Sequence, residues 1–332
     1  MKHDNGINVA RHLRGEGMPR NWTLAGISSE AGVAEVWRSK NNGMAWECLL
    51  SFPGTNWIQT MIQAANKHII VAVNVGGGNP VQFWLSPDYG NSWVQTGTAT
   101  GETYAYDAVL AANGDLIVGT GPGAEFWRSQ NNGQTWAQVA TATGEASVRS
   151  FVVAANGDIL AGTGNSAEFW RSQNNGQTWA QVSTATGESR INSLARAANG
   201  DLLAGTGGGA EFWRSQNNGQ TWAQVDAAGG ETEINRLFCA SNGSLFAGIE
   251  SSGKIYGSTD NGATWGALVS VTGDSVNSFT ETRKATLLAC TEEASATPIT
   301  NAQIWNSKDG GVNWAYAANL PFTCDALVMV TI

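Results

Sequence analysis

The chain has 332 residues, a net charge of −9 and a pI near 4.8. An acidic chain lacks the basic patches that attract nucleic acid and anionic membranes, so we expect neither as a partner. No apolar run approaches the ~20 residues that cross a bilayer, and the polar N-terminus does not look like a secretory signal. These features predict a cytoplasmic protein, or one assembled into a virion or another particle. The 41 glycines, 15 tryptophans and absence of a helical apolar period favour a turn-rich, all-β protein.

The chain begins with a predicted polar tail, residues 1–21, which is too short to form a repeat of its own. The first strands are predicted at Thr23–Ile27 and Ala34–Ser39. A motif of the form Ser-x-Asp/Asn-x-Gly-x-x-Trp, called the box below, then recurs seven times. Its copies span Ser39–Trp46, Ser86–Trp93, Ser129–Trp136, Ser172–Trp179, Ser215–Trp222, Ser258–Trp265 and Ser307–Trp314. Near-constant spacing of this kind predicts repeats of one supersecondary unit.

Each repeat contains four short runs with the alternating pattern of strands. In the fourth repeat they are Val148–Ala155, Asp158–Gly162, Glu168–Ser172 and Thr178–Val182. Asn-Gly pairs separate the first run from the second and the third from the fourth, and this dipeptide favours tight hairpins. The repeat therefore predicts a four-stranded antiparallel blade.

The two ends of the chain are predicted to share one blade. Cys324–Ile332 aligns with the innermost strands of the other repeats, and we expect it to pair beside Thr23–Ile27. Such pairing would leave no open sheet edge. The predicted fold is an all-β, seven-bladed β-propeller over residues 22–332, with four-stranded blades and the C-terminal strand completing blade 1.

The box resembles the Asp-box (BNR) repeat of sialidases, sortilin-type receptors, xyloglucan-degrading enzymes and photosystem assembly factors. The resemblance extends over about residues 22–332 and implies a propeller, but these families share only the repeat, so it implies no one function. The residue chemistry favours a structural role for the box. Its Asp or Asn should accept backbone N–H groups in the turn, glycine should supply the left-handed residue, and the tryptophan should be buried.

Alternation of strands places the uniform Asn-Gly turns on one face and the variable loops on the other. Variable loops on a rigid scaffold are where function usually concentrates. Acidic residues that recur at the blade-to-blade crossovers are interpreted as structural, with hydrogen bonds between blades. They are Glu102, Glu145, Glu188, Glu231 and Asp274. The four cysteines, Cys48, Cys239, Cys290 and Cys324, lie in apolar strands and are predicted to be buried free thiols.

The candidate binding residues lie at the start of each innermost strand, where the repeats differ from one another. They are Trp57, Gln59, Tyr104, Tyr106, Arg149, Arg190, Asn192, Glu233, Asn235, Arg236, Asn277 and Asp325. These aromatic, charged and amide side chains are predicted to surround the mouth of a central channel, where they can hold a sugar or a peptide. A hydrated channel lining is the alternative.

The sequence thus predicts a non-catalytic binding or assembly propeller that recognises a glycan or a protein through the face opposite the boxes. A phage-particle or receptor-binding component is one setting. The alternative is an exo-sialidase-like glycoside hydrolase, whose family uses an arginine triad and a Tyr–Glu pair. The N-terminal Arg-Ile-Pro motif of that family is missing, but Arg149, Arg190 and Arg236 keep the alternative open. No cofactor, metal site or catalytic residue is predicted, because no metal-ligand spacing or phosphate-binding loop is present.

Overall fold

The computed structural model describes residues 23–29, 33–39, 47–53, 57–250, 252–271, 275–281, 285–292, 302–320 and 330–331. Every regular element in these ranges is a β-strand. No helix suited to crossing a membrane occurs in them. Residues 1–21 lie outside the described ranges, so the predicted boundary between a tail and a propeller stays a prediction.

The chain divides into two compact units, of which the first comprises Met1–Thr141 and Thr323–Ile332. It holds three antiparallel sheets of four strands. The strands of the first sheet are β1 (Thr23–Ser29), β2 (Val33–Ser39), β3 (Glu47–Pro53) and β28 (Val330–Thr331). Those of the second are β4 (Trp57–Gln63), β5 (Ile69–Asn74), β6 (Val81–Ser86) and β7 (Val94–Ala99). Those of the third are β8 (Tyr104–Leu110), β9 (Leu116–Gly121), β10 (Glu125–Ser129) and β11 (Ala137–Thr141).

The second unit, Ala142–Phe322, holds one eight-stranded sheet and two four-stranded sheets. The eight-stranded sheet contains β12 (Ser147–Val153), β13 (Ile159–Gly164), β14 (Glu168–Ser172), β15 (Ala180–Thr184), β16 (Arg190–Arg196), β17 (Leu202–Gly207), β18 (Glu211–Ser215) and β19 (Ala223–Ala227). The next sheet contains β20 (Ile234–Cys239), β21 (Leu245–Ile249), β22 (Lys254–Ser258) and β23 (Gly266–Ser270). The last contains β24 (Ser275–Glu281), β25 (Leu287–Glu292), β26 (Ala302–Ser307) and β27 (Ala315–Leu320).

The architecture is an all-β propeller fold, but the prediction of seven separate four-stranded blades is wrong. The described strands form six sheets, five with four strands and one with eight. The larger sheet arises because Gly164, at the end of β13, pairs with Arg190, at the start of β16. Below, "blade" means one run of four consecutive strands that are paired in sequence order.

The predicted closing strand also needs correction. We expected Cys324–Ile332 to form a full innermost strand, but the C-terminal strand of the described residues is Val330–Thr331 alone. It pairs antiparallel with Thr23 and Leu24 of β1. Residues 324–329 lie outside the described ranges.

Burial follows the position of each strand in its blade. The second strands β5, β9, β13 and β17 are buried along their whole length, whereas the fourth strands β7, β11, β15 and β19 are mostly exposed. Aromatic stacking then joins consecutive blades. Phe169 of β14 stacks on Trp222 with ring centroids 4.1 Å apart, and Phe212 of β18 stacks on Trp265 at 4.3 Å. Such pairs add ~0.5–1.5 kcal/mol to the burial of their area.

The box forms the turn between the third and fourth strands, as its residue types predict. Asn131 Oδ1 accepts the backbone N–H of Thr135 at 2.9 Å, and Asp88 Oδ1 accepts that of Ser92 at 2.7 Å. Asparagine and aspartate therefore fill the same role. Gly133 has φ = 86°, and a Cβ there would lie 2.5 Å from Ile70 Cγ1, so both its backbone and its packing require glycine.

The cysteine prediction is only partly right. Cys48, Cys239 and Cys290 are free thiols, and Cys290 is buried. Cys48 is exposed because it lies on β3, the outer strand of its sheet, and Cys239 is intermediate. Cys324 lies outside the described residues.

Candidate functional site

The main column of predicted site residues coincides with a β-bulge in six blades. The register of the first and second strands shifts by one residue at Gln59, Tyr106, Arg149, Asn192, Asn235 and Asn277. A bulge leaves one residue unpaired and re-aims its side chain. The residue after the bulge faces glycine in four blades, namely Gly119, Gly162, Gly205 and Gly248. The residues after the bulges at Gln59 and Asn277 face Ala72 and Cys290 instead, so glycine accompanies the bulge without being required for it. Asp325 lies outside the described residues.

In the first unit the structure brings together three aromatic residues. The rings of Trp57 and Tyr104, at the starts of β4 and β8, have centroids 6.1 Å apart. Tyr104 and Tyr106 are also 6.1 Å apart, and all three side chains are partly exposed. This aromatic group offers flat apolar faces with hydroxyl groups, which suit a sugar ring or the apolar side chains of a peptide.

In the second unit the structure brings together a charged and amide group at the starts of β16 and β20. Arg190 forms an ion pair with Glu233. Asn192 donates its amide N–H groups to Glu233 Oε2 at 3.3 Å and to the carbonyl of Ile234 at 3.2 Å. The Oδ1 atom of Asn192 is buried and has no hydrogen-bond partner among the described residues.

Glycine on the partner strand makes space for the side chains of Arg190 and of Arg149. A Cβ on Gly207 would lie 2.9 Å from Arg190 Nε and 3.1 Å from Asn192 Nδ2. A Cβ on Gly164 would lie 2.8 Å from Arg149 Cδ. Larger residues at these two positions would displace both guanidinium groups.

The remaining predicted residues of the second unit are amides and one arginine further along the same side. Asn235 donates to Asn277 Oδ1 at 3.1 Å, which links the bulges of two consecutive blades. Asn277 is buried. Arg236 follows the bulge of β20 and is partly exposed.

A set of acidic pairs beside these residues escaped the sequence analysis. Each pair consists of a crossover glutamate and the glutamate that begins the third strand of the blade that follows the crossover. They are Glu102 with Glu125, Glu145 with Glu168, and Glu188 with Glu211. The crossover glutamates accept hydrogen bonds from the loop of the blade they lead into, so they are structural as predicted. The predicted bonding between blades is confirmed at Glu102, whose backbone carbonyl accepts the N–H of Val81 in the preceding blade at 2.8 Å. Asp274 lies outside the described residues. The sequence signal for these pairs is the repeated Ala-Glu-Phe-Trp, which supplies the second glutamate. This glutamate is distant from the crossover in the sequence and comes near it only in the folded blade.

The structure also holds a cavity on the box side of the second unit, where no site was predicted. It has a volume of about 350 Å³ and is lined by Asn242, Glu281, Ala285 and Lys308 among others. Glu281 accepts hydrogen bonds from the backbone N–H and hydroxyl of Ser241, at 2.7 and 2.6 Å, and so joins two blades. These contacts serve the packing of the blades.

Both units are built from propeller blades, and in each unit the strand starts opposite the boxes carry side chains that vary from blade to blade. A family model described as "Sortilin, neurotensin receptor 3" matches residues 210–325, fewer than half of the chain. A comparison with curated protein sequences finds no match.

Solved structures of similar fold have different activities. A putative 6-phosphogluconolactonase from Bacteroides uniformis is 11% identical, with a TM-score of 0.69 over 94% of this chain and 100% of that one. YCF48 bound to D1 peptide is 15% identical, with a TM-score of 0.59 over 95% and 87%. A chain of the nidogen/laminin complex is 11% identical, with a TM-score of 0.51 over 71% and 89%. At these identities the likeness is one of fold, which confirms the propeller and leaves the finer Asp-box assignment a prediction.

Proposed function

We propose that this chain is a non-catalytic binding protein that recognises a protein partner through the side opposite the boxes. The observation that carries the proposal is that the predicted site residues occupy the β-bulge between the first and second strands. The bulge recurs in blade after blade, yet the residue it re-aims is Tyr106, Arg149, Asn192 or Asn235, whereas the box turn is almost constant. A conserved backbone device with varied side chains supports recognition of an irregular surface such as a peptide segment. Two proteins of similar fold, YCF48 and the nidogen/laminin chain, were solved with a peptide or protein partner.

A glycan is the second candidate, and the aromatic group favours it. Trp57, Tyr104 and Tyr106 lie at successive centroid distances of 6.1 Å and remain partly exposed, as stacking on sugar rings requires.

The exo-sialidase alternative has less support. Such an enzyme needs arginines that converge on a substrate carboxylate, but Arg190 already has the carboxylate of Glu233 as its partner. A fluorogenic sialoside tests this alternative directly. Turnover that is lost in Arg190→Ala would establish it.

The proposal is tested by binding of the purified protein to a peptide array and a glycan array. We expect peptide ligands whose binding weakens at least tenfold in Tyr104→Ala/Tyr106→Ala and in Arg190→Ala. Tyr316→Ala, exposed on the outer strand β27, and Arg196→Ala, exposed at the other end of β16, are matched controls that should bind like the wild type. Glycan ligands with the same dependence would select the second candidate. Ligands that bind all these variants equally would show that the surface is not the site.

A further inference from the structure

Three blades each carry one of the glutamate pairs described above, although two neighbouring carboxylates repel each other. In each pair the crossover glutamate is buried, and the glutamate that begins the third strand is partly exposed. A Cβ on Gly209 would lie 2.6 Å from Glu188 Oε1 and 3.7 Å from Glu211 Cγ, so the two side chains flank one glycine. Like charges this close are unfavourable unless a proton or a cation lies near them.

Hydrogen bonds hold both members of a pair in place. Glu145 Oε2 accepts from Thr163 Oγ1 at 2.6 Å and from Ser166 N at 3.1 Å. Its neighbour Glu168 accepts from Trp170 Nε1 at 2.9 Å. Burial raises the pKa of Glu168, and the charge of Glu145 raises it further, against the lowering effect of the Trp170 bond. The carboxylates are therefore oriented by donors that do not neutralise the pair.

The blade β20–β23 shows the same arrangement with a cation in it. The residue before the third strand has the same left-handed backbone in both cases, with φ = 59° at Gly253 and 52° at Ala167. The next residue is Lys254, where the three blades with glutamate pairs have glutamate. Lys254 Nζ lies 2.5 Å from Oε1 of the crossover residue Glu231. Burial alone would raise the pKa of Glu231, but the hydrogen bond and the charge of Lys254 oppose that effect and the pKa is lowered. An ammonium group thus satisfies this position.

One pair also contains an unused acceptor. Glu102 is 2% exposed, and its Oε1 accepts the N–H of Gly123 at 2.7 Å. Its Oε2 is buried without a hydrogen-bond partner among the described residues. The charge of Glu102 also raises the pKa of Glu125, after the larger effect of burial, so this carboxylate acts on its pair.

We propose that each of the three glutamate pairs accepts one basic side chain, lysine or arginine, of a protein partner, in the place that Lys254 fills from within the chain. The inference deepens the proposed function, since it rests on the side opposite the boxes being the protein-binding side. Charge supports this occupant, because the chain carries a net charge of −9 and the ammonium group of Lys254 occupies the equivalent position beside Glu231. The described residues form no group of three or more carboxylate, histidine or cysteine side chains that could hold a metal ion.

The test measures binding of a fluorescein-labelled peptide of alternating lysine and glycine, with alternating glutamate and glycine as the control peptide. In Glu168→Gln/Glu211→Gln we expect Kd for the lysine peptide to rise about tenfold, because two charge-assisted contacts are lost. Gln181→Lys/Gln224→Lys changes the net charge equally, but on the exposed outer strands β15 and β19. It should have much less effect. Lys254→Glu creates a fourth pair and should tighten binding.

Three outcomes would overturn the inference. They are equal weakening in the outer-strand control, no tightening in Lys254→Glu, and calorimetric binding of calcium chloride that displaces the peptide at the pairs. The proposed function fails separately. One result would separate the two in one direction: Tyr104→Ala/Tyr106→Ala and Arg190→Ala leave array ligands bound, while the glutamate variants weaken binding of the lysine peptide. The pairs would then bind basic side chains, but the strand starts that carry Tyr104, Tyr106 and Arg190 would not be the site of the proposed function. The opposite result would be loss of array ligands in Tyr104→Ala/Tyr106→Ala and Arg190→Ala, with binding of the lysine peptide unchanged in the glutamate variants. The proposed function would then stand and this inference would fail.

Discussion

The two sides of the blades use one repeat in opposite ways. On the box side, consecutive blades carry the same ion pair, Arg171 with Asp158 and then Arg214 with Asp201. On the opposite side, the same blades place Arg149 and Asn192 at one bulge position. The repeated residues of the box side maintain the contacts between strands and between blades. The residues of the opposite side differ from blade to blade, and these differences change the surface without changing the fold. Perturbing the box side should therefore affect stability, and perturbing the opposite side should affect binding.

The largest effect is expected at the stacked tryptophans. Trp222 is 8% exposed and stacks on Phe169 of the preceding blade, so Trp222→Ala removes a buried ring and leaves a cavity. We expect a loss of about 3–5 kcal/mol in the free energy of unfolding, measured by urea denaturation. Trp57→Ala, on the opposite side and partly exposed, should lose about 1–2 kcal/mol. Equal losses would remove the distinction between the two sides.

The next effect is expected at the box-side ion pairs. Arg214 Nε donates to Asp201 Oδ2 at 2.9 Å, and the two side chains are 15% and 11% exposed. Arg214→Ala leaves the carboxylate with little solvent and no cation, which should cost about 2–3 kcal/mol, below the ~3–5 of a fully buried pair. The double variant Asp201→Ala/Arg214→Ala should lose less than the sum of the single variants. Additive losses in denaturation experiments would mean that the two residues act independently.

The sequence predicts the local structure of this chain well, because the deciding interactions lie within one repeat. The third strand Glu168–Ser172 was predicted with its observed bounds, and the side-chain role of Asn131 in its turn is confirmed. The column of bulge residues was identified by alignment, although the bulge itself was not. The bulge is a matter of register, in which Ser150 rather than Arg149 faces Gly162, and that register is known only from the structure.

Interactions between repeats were harder to predict. The eight-stranded sheet depends on the single pair of Gly164 with Arg190, and no sequence pattern distinguishes that pair from its equivalents. The glutamate pairs were missed for a related reason. Glu145 and Glu168 are 23 positions apart, and only the fold of the intervening hairpin brings them together. The exposure of Cys48 similarly reflects its outer strand, whose local sequence resembles that of a buried one.

A smaller effect is expected from pH at the aspartate boxes. Backbone and side-chain hydrogen bonds from Thr264 lower the pKa of Asp260 from 3.8 to about 2. The folded state therefore favours the carboxylate, and this stabilisation is complete above pH 3.8 and lost as the pH falls towards 2. Asp260→Asn should lower Tm at neutral pH and flatten its decline in that window. Asn174→Asp, the reverse change in an equivalent turn, should steepen the decline, and thermal melts of both variants that run parallel to the wild type would contradict this account.

The smallest effect, below ~1 kcal/mol because the groups are partly solvated, is expected on the opposite side, and its sign should depend on the blade. The pKa of Glu168 is raised above 4.5 by burial and by the charge of Glu145. The folded state therefore favours the protonated carboxyl, and stability is lost as the pH rises from 4.5 through the raised pKa. Glu168→Gln removes this cost, keeps an acceptor for Trp170, and should raise Tm at pH 7 but not below pH 4.5. The pKa of Glu231 is lowered by the hydrogen bond and charge of Lys254 against the effect of burial, so its ionised form stabilises the fold above pH 4.5. Glu231→Gln should therefore lower Tm at pH 7. Shifts of the same sign in both variants would show that Lys254 does not distinguish its blade from the three that carry glutamate pairs.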